Sequence, residues 1–419
     1  MSEKKINSLL HTFCTACISL TLSFFLNTKL VVAAETLTNH LGCQANQWEL
    51  WEHYKKQFLQ EDGRIIDYAT PIEHSTSEGQ SYGMMFSLIH NDPENFQRIW
   101  NWTLANLFDN DLNNNLPAWQ WGKKADNTWG VVDFNSASDA DLWFAYALLE
   151  AGRIWKNKTY TTQGLQMINL IEKREFIDLP GFGKMISTGY IKKASLNKTK
   201  WSLNPSYYPL PLLRRIAAER NNLQWDEIVA NVPRVIREGS PKKFPADWIY
   251  YKLNDGDIPE FYFDQTRGQK SSFDAIRVYL WAGVTHPDDP LRKDILLSIS
   301  GIINAITIKG YVPEKIDAFT GEIINNAYSP FGFSAAVAPY FYAIGRKETA
   351  QSQVSRANWM IKKSQSPENA NTNRLRYYDY SLSLFGLGFT EGFYRFNLNG
   401  FLETSWMHNN CAKFNVTYQ

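Results

Sequence analysis

Cysteine is scarce in this chain: there are four among 419 residues. Cys14 and Cys17 lie within an apolar amino-terminal stretch, so their CxxC spacing marks neither a redox nor a zinc motif. Histidine is also sparse, at seven, with no HExxH or other close pair. That argues against a catalytic metal, and no glycine-rich phosphate loop or other cofactor motif is evident, so no cofactor is expected. Charge of one sign is lacking too, because 43 Lys and Arg against 42 Asp and Glu leave a net +1. Without a basic field the chain has no means of recruiting nucleic acid or anionic lipid. No Pro/Ser/Thr-rich linker divides it, and no short structural repeat recurs, so one domain is the simpler reading. The apolar run over residues 13–26 falls short of the roughly 20 residues that a membrane span requires.

That run instead completes a secretory signal over residues 1–34. Lys4 and Lys5 supply the basic start, and Val32-Ala33-Ala34 supplies a small-residue cleavage site before Glu35. The expectation is an exported protein, periplasmic or secreted, with residues 35–419 as one catalytic domain and no membrane attachment after cleavage. Cys43 and Cys411, one near each end of that domain, are expected to form a disulfide bond in the oxidising compartment.

What the chain has in abundance is aromatic side chains: 15 Trp, 21 Tyr and 25 Phe, 15% of all residues. Sugar rings present apolar C–H faces that stack on aromatic planes. Trp119, Trp121 and Trp129 cluster in a loop-like, Asn-rich stretch, where at least one is expected to serve as a sugar platform.

Helical periodicity predicts segments at 46–60, 79–91, 93–107, 138–156, 160–174, 205–219, 225–239, 271–284, 288–306, 332–345, 346–361 and 378–396. The even-numbered segments are apolar and rich in Gly and Ala, whereas the odd ones carry a polar face. This alternation predicts an all-α (α/α)6 barrel, six inner helices ringed by six outer ones, whose inner amino ends meet at one mouth. Glu78, Asp139, Tyr207 and Asp274 fall at the starts of the second, fourth, sixth and eighth segments. Acids so distant in sequence share a site only if the fold gathers helix starts in this way.

Glycosidic cleavage needs a proton donor on the leaving oxygen and a second carboxylate across the sugar. Glu78 suits the donor: Gly79 and Gly83 leave room, Tyr82 and Met85 dry its helical face, and Asp139 offers the second charge that raises its affinity for a proton. Asp139 and Asp141 stand about 200° apart around a helix, so Asp141 is expected to be a cap or a surface charge. Asp274 and Arg277 share a face at i, i+3, which suits a base. His74, beside the acid motif, is expected to be a hydrogen-bonded loop residue.

At these residues the chain resembles glycoside hydrolase family eight, and most nearly the endoglucanases that accompany bacterial cellulose synthesis. The stretch 137–155 follows the family pattern, with Phe144 at a position where Ile or Met is usual. The likeness runs from about Trp48 to Ala343, through LPAWQWG (116–122), WSLNPSYYPLPLL (201–213) and SPFGFSAAVAPY (329–340). It weakens beyond Arg346, and the tail after Gly400 is unassigned. The resemblance implies an (α/α)6 barrel and inverting endo-hydrolysis of a β-1,4-glucan. It implies Glu78 as general acid, Asp274 as the base that activates water, Asp139 as a sugar binder, and Tyr207 and Arg277 as active-site support. Phe273 stands where the family commonly has Tyr, which removes a hydroxyl near the base. A β-glucan is the expected partner, and a cellulose synthase complex a further one. The competing readings are a relative acting on chitosan, xylan or mixed-linkage glucan, and a non-catalytic glucan-binding protein.

Overall fold

The computed structural model describes residues 48–190, 199–254, 258–263, 269–325, 329–366 and 376–407. The signal at 1–34 and the Cys43–Cys411 pairing lie outside the described residues. The chain divides into two units, and every element below belongs to the larger, which contains Gln47–Ser405.

Six inner helices form a closed ring: α2 (Ser77–Ile89), α4 (Ser138–Ile154), α6 (Leu210–Arg220), α8 (Ile276–Val284), α11 (Phe331–Ala343) and α13 (Tyr377–Thr390). Each touches the next, and α13 returns to α2. They are buried on almost all sides, α11 from Phe331 through Tyr342, which is what an apolar sequence without a polar face requires. Two glycines show how closely they pack. A Cβ on Gly386 of α13 would stand 2.0 Å from the Ala335 carbonyl oxygen of α11, and one on Gly283 of α8 would stand 2.4 Å from the Tyr340 nitrogen.

The outer layer is amphipathic: α1 (Glu49–Phe58), α3 (Pro93–Asn106), α5 (Lys158–Arg174), α7 (Leu223–Glu238), α9 (Arg292–Ser298) with α10 (Ile302–Lys309), and α12 (Lys347–Ser364). In α7 only a stripe is buried, formed by Trp225, Ile228, Val229, Val232, Pro233, Val235 and Ile236. The predicted helix 288–306 is two helices. Gly301 sits against Phe244 and donates its N–H to the Lys243 carbonyl at 2.9 Å, a bond that draws the backbone out of the helical ladder.

At one end of the barrel four connections are short and turn on a left-handed residue, Asn91, Lys156, Asn221 or Gly345, while the one from α8 to α9 has none. At the other end, where the inner helices begin, they are long and pair into small antiparallel sheets that the helical pattern did not reveal. These are β1 (Ser75–Thr76), β2 (Gln120–Lys123) and β3 (Trp129–Asp133); β4 (Phe176–Leu179) and β5 (Gly183–Ile186); β6 (Lys200–Leu203), β7 (Ile249–Leu253) and β8 (Pro259–Tyr262); and β9 (Lys270–Ser271), β10 (Lys315–Asp317) and β11 (Ile323–Asn325).

Three helix boundaries differ from expectation for local reasons. The segment expected at 205–219 is a 3-10 turn, Pro205–Tyr207, followed by α6, because Pro209 keeps Tyr208 out of the α region. The segment expected at 271–284 becomes helical only at Ile276, after a turn that carries Asp274. The segment expected to reach 396 stops at Thr390. Gly392 takes φ 76°, and Tyr394–Phe396 (β12) pairs with Leu402–Thr404 (β13) instead.

Candidate active site

Glu78 is the second residue of α2 and the least buried of that helix, its side chain 16% exposed. Thr76 caps the helix, its Oγ1 accepting from Gly79 N at 3.0 Å, while the Trp119 carbonyl accepts the Ser77 N–H at 3.0 Å. These bonds fix the direction in which Glu78 leaves the barrel wall. Asp139, second in α4, is 3% exposed and its Oδ1 accepts the Ala140 N–H at 2.8 Å. Arg277 is second in α8, and Tyr377 and Tyr378 open α13.

Arg277 joins these groups. Its Nη1 bonds Glu78 Oε2 and reaches the Tyr378 hydroxyl at 3.3 Å. Its Nη2 donates to Asp274 Oδ1 at 2.8 Å and to Ser206 Oγ at 3.0 Å, and lies 3.5 Å from Asp139 Oδ2. The side chain is only 4% exposed. One buried guanidinium thus serves three carboxylates, and a single cation cannot hold all three ionised away from water.

Burial pushes Glu78 up to about 7; Arg277 opposes that rise, and the charges of Asp139 and Asp274 add to it. Burial likewise raises Asp139 to about 6 against Arg277 and the Ala140 N–H, with Asp274 adding to the rise. The expected influence of Asp139 on Glu78 is therefore present, but burial outweighs it. Glu78 Oε1 also accepts from the Tyr377 hydroxyl at 3.3 Å, leaving the carboxyl held at both oxygens.

Tyr207 lies on its 3-10 turn, edge-on to Trp248 at 5.9 Å and with its ring centre 5.8 Å from the Arg277 guanidinium carbon. Glu78, Asp139, Asp274, Tyr207 and Arg277 are therefore brought together, Glu78 and Asp139 on helix starts and Tyr207 and Asp274 on turns just ahead of them. Trp121 and Trp129 lie on paired strands β2 and β3 rather than in a loop. Their rings stack at 5.5 Å, with the Arg64 guanidinium 4.4 Å and 4.8 Å from the two ring centres, and Trp102 packs edge-on against Trp121 at 5.3 Å. Trp129 is the exposed member, at 44%. Trp119 is half-buried, and its N–H donates to the Asn135 carbonyl at 2.8 Å. His74 bonds Gln120 at 2.9 Å and approaches Asp67 at 3.5 Å, as befits a hydrogen-bonded loop residue.

Asp141 corrects an expectation. It is neither a cap nor a surface charge but fully buried, because the far side of an inner helix faces protein instead of solvent. Burial, and then Glu175, drive its carboxyl well above the usual range. Glu175 is itself raised to about 7 by burial, and its Oε1 accepts from Ser136 Oγ at 2.8 Å.

Four site residues escaped the sequence reading. Tyr377 and Tyr378 begin the last inner helix, so the rule that located the acids, applied to the sixth inner helix, would have found them. Asp247 and Trp248 had no such signal. They lie before β7, and Trp248 Nε1 donates to Asp274 Oδ2 at 3.1 Å. Burial, followed by the charge of Asp274, raises Asp247 to about 7.

The chain is 41% identical over 371 residues to an endoglucanase of Pseudomonas fluorescens (strain SBW25), covering 87% of this chain and 92% of that one. It is 39% identical over 369 residues to an endoglucanase of Xanthomonas axonopodis pv. citri (strain 306), covering 88% and 92%. The crystal structure of endo-1,4-D-glucanase from Vibrio fischeri ES114 superimposes with a TM-score of 0.79 at 33% identity, over 86% of this chain and 100% of that one. The profile of glycosyl hydrolases family 8 matches residues 28–392, and this (α/α)6-barrel chain belongs to that family.

Proposed function

We propose that this family 8 endoglucanase hydrolyses internal β-1,4 bonds of a glucan chain with inversion at the anomeric carbon. In this reading Glu78 donates the proton to the leaving oxygen, and Asp274 takes a proton from the water that attacks the opposite face. Asp139 binds the sugar at the cleavage point. Arg277 and Tyr207 hold the acids in place, and Trp119 and Trp121, with Trp129 beside them, offer aromatic surface to the chain. The observation that carries the reading is that Glu78 and Asp274 share one buried guanidinium, a nitrogen to each. Glu78, raised to about 7, keeps a proton to give near neutral pH. Asp274 has a guanidinium on one oxygen and an indole N–H on the other.

Export fits residues 1–34, and among the described residues no helix is long and apolar enough to cross a membrane. Association with a cellulose synthase complex is a further part of the proposal. The test of substrate is product analysis on soluble cellulose derivatives, xylan, chitosan and mixed-linkage glucan. A rapid fall in viscosity with few reducing ends on the cellulose derivative is the expected outcome. Release of ends only from another polysaccharide, or from none, contradicts it.

A further inference from the structure

Asp274 lies ahead of the helix it serves. Ladder hydrogen bonding in α8 begins around it, with Ile276 N on Ser272 O at 3.0 Å and Arg277 N on Asp274 O at 3.1 Å. A catalytic group on such a turn needs an anchor, since an error of about 1 Å in placement costs on the order of a hundredfold in rate. Asp247 supplies two bonds that bracket it: Oδ1 accepts from Ser272 N at 2.9 Å and from Ala275 N at 2.8 Å. Asp247 is itself fixed, its N–H donating to the Lys270 carbonyl at 2.6 Å. Its neighbour Trp248 then donates Nε1–H to Asp274 Oδ2 while Arg277 takes Oδ1. Two donors on different oxygens set the rotation of the carboxylate as well as its position. Phe273 adds no side-chain donor; its ring packs edge-on against Phe333 at 5.1 Å, and its carbonyl accepts from the Tyr378 hydroxyl at 2.6 Å.

We infer that Asp247 and Trp248 are positioning residues for Asp274, Asp247 pinning the turn through the backbone and Trp248 orienting the carboxylate through its indole N–H. The inference rests on the reading of Asp274 as the base. The other titratable or charged groups facing Asp274 are Arg277, Glu78, Asp139, Tyr207 and Tyr378.

Trp248→Phe keeps a ring against Tyr207 and deletes the indole N–H that bonds Asp274. On cello-oligosaccharides its kcat is expected to fall about tenfold or more, the loss appropriate to a hydrogen bond to a charged group, with KM within about threefold. The acid limb of kcat against pH moves to higher pH, because the lost bond favours the charged form. A merely structural role would leave that limb in place. Asp247→Ala is expected to lose rate comparably, and Asp247→Asn, which retains an acceptor oxygen, to recover most of it. If Trp248→Phe does not fold, the Asp247 pair decides the matter: recovery by Asn supports the inference, and full rate in the Ala variant overturns it. A folded Trp248→Phe enzyme with unchanged kcat and acid limb also overturns it. Asp274→Asn separates the two levels of the argument. If that variant is active, the base assignment fails; if it is inactive while Trp248→Phe is unaffected, only the inference fails.

Discussion

Two clusters built on arginine occupy opposite ends of the same barrel. At the mouth, Arg277 alone faces Glu78, Asp139 and Asp274. At the far end, Glu150 of α4 accepts from Arg153 Nε at 3.1 Å, from Arg215 Nε at 2.6 Å and from the Leu402 N–H at 2.8 Å, while Arg215 also pairs with Glu219 at 2.8 Å. Both arginines lie over the Phe401 ring, and the Tyr146 hydroxyl donates to the Gly400 carbonyl at 2.8 Å. The tail after Gly400, unassigned from sequence, thus begins as a hairpin closing the base of the barrel. Cations and acids balance at the far end, and the cluster binds chain to chain. At the mouth the acids are in excess, so a proton is retained where chemistry can use it. The difference is one of partner supply: one guanidinium for three carboxylates at the mouth, two for two at the far end, with α4 contributing an acid to each.

The largest expected effect comes from removing that retained proton. Glu78→Gln keeps shape and hydrogen bonding but cannot act as an acid, so hydrolysis of unactivated glucan should fall by roughly a hundredfold to ten-thousandfold, with oligosaccharide binding intact. Activity within about tenfold of the parent would remove Glu78 from the role. For the parent, kcat/KM should decline above about pH 7 as Glu78 loses its proton.

The far end should answer in stability, not rate. Glu150→Ala leaves buried Arg215 short of its partner, a loss on the order of 3–5 kcal/mol in denaturant unfolding, with kcat unchanged at temperatures where the variant is folded. A change below about 1 kcal/mol, or a selective loss of kcat, would break the contrast between the two ends.

A smaller effect sharpens it. Asp141 and Glu175 are a buried acid pair, and neither has a basic residue among the groups that shift it. Their folded-state affinity for protons exceeds that of the unfolded chain. The stability they allow is therefore full below the unfolded carboxylate value of about 4 and is lost as pH rises toward the folded value, about 7 for Glu175. Asp141→Asn cannot ionise and can donate to Glu175, so its melting temperature should fall less than the parent's between pH 5 and about 7. A parallel fall in both proteins would contradict the pairing.

The barrel was legible because binary patterning states it: Gly- and Ala-rich apolar helices alternate with amphipathic ones, and inner starts must then share an end. Glu78, Asp139, Asp274 and Tyr207 reach one mouth by that rule, and Arg277 by its i, i+3 spacing to Asp274. Asp247 and Trp248 do not, since their position comes from β7 crossing the mouth, a pairing between distant segments that no local period encodes. Asp141 was misread for a related reason. Angle around the helix is local, whereas what lies on the far side is set by the outer layer. Helix ends at Tyr207, Asp274 and Gly301 shifted where proline, a capping carboxylate or a backbone contact overrode periodicity.

The central claim, that Glu78 donates a proton while Asp274 activates water, is tested most directly by product stereochemistry. Water between Asp274 and the anomeric carbon calls for carboxyl groups roughly 6.5–9.5 Å apart and releases the α-anomer first from a β-linked chain. Direct attack by Asp274 calls for roughly 5–5.5 Å and releases the β-anomer first. Proton NMR of cello-oligosaccharide cleavage, recorded before mutarotation, distinguishes the two. Initial α-anomer is the predicted result, and initial β-anomer would contradict the role of Asp274 as a base.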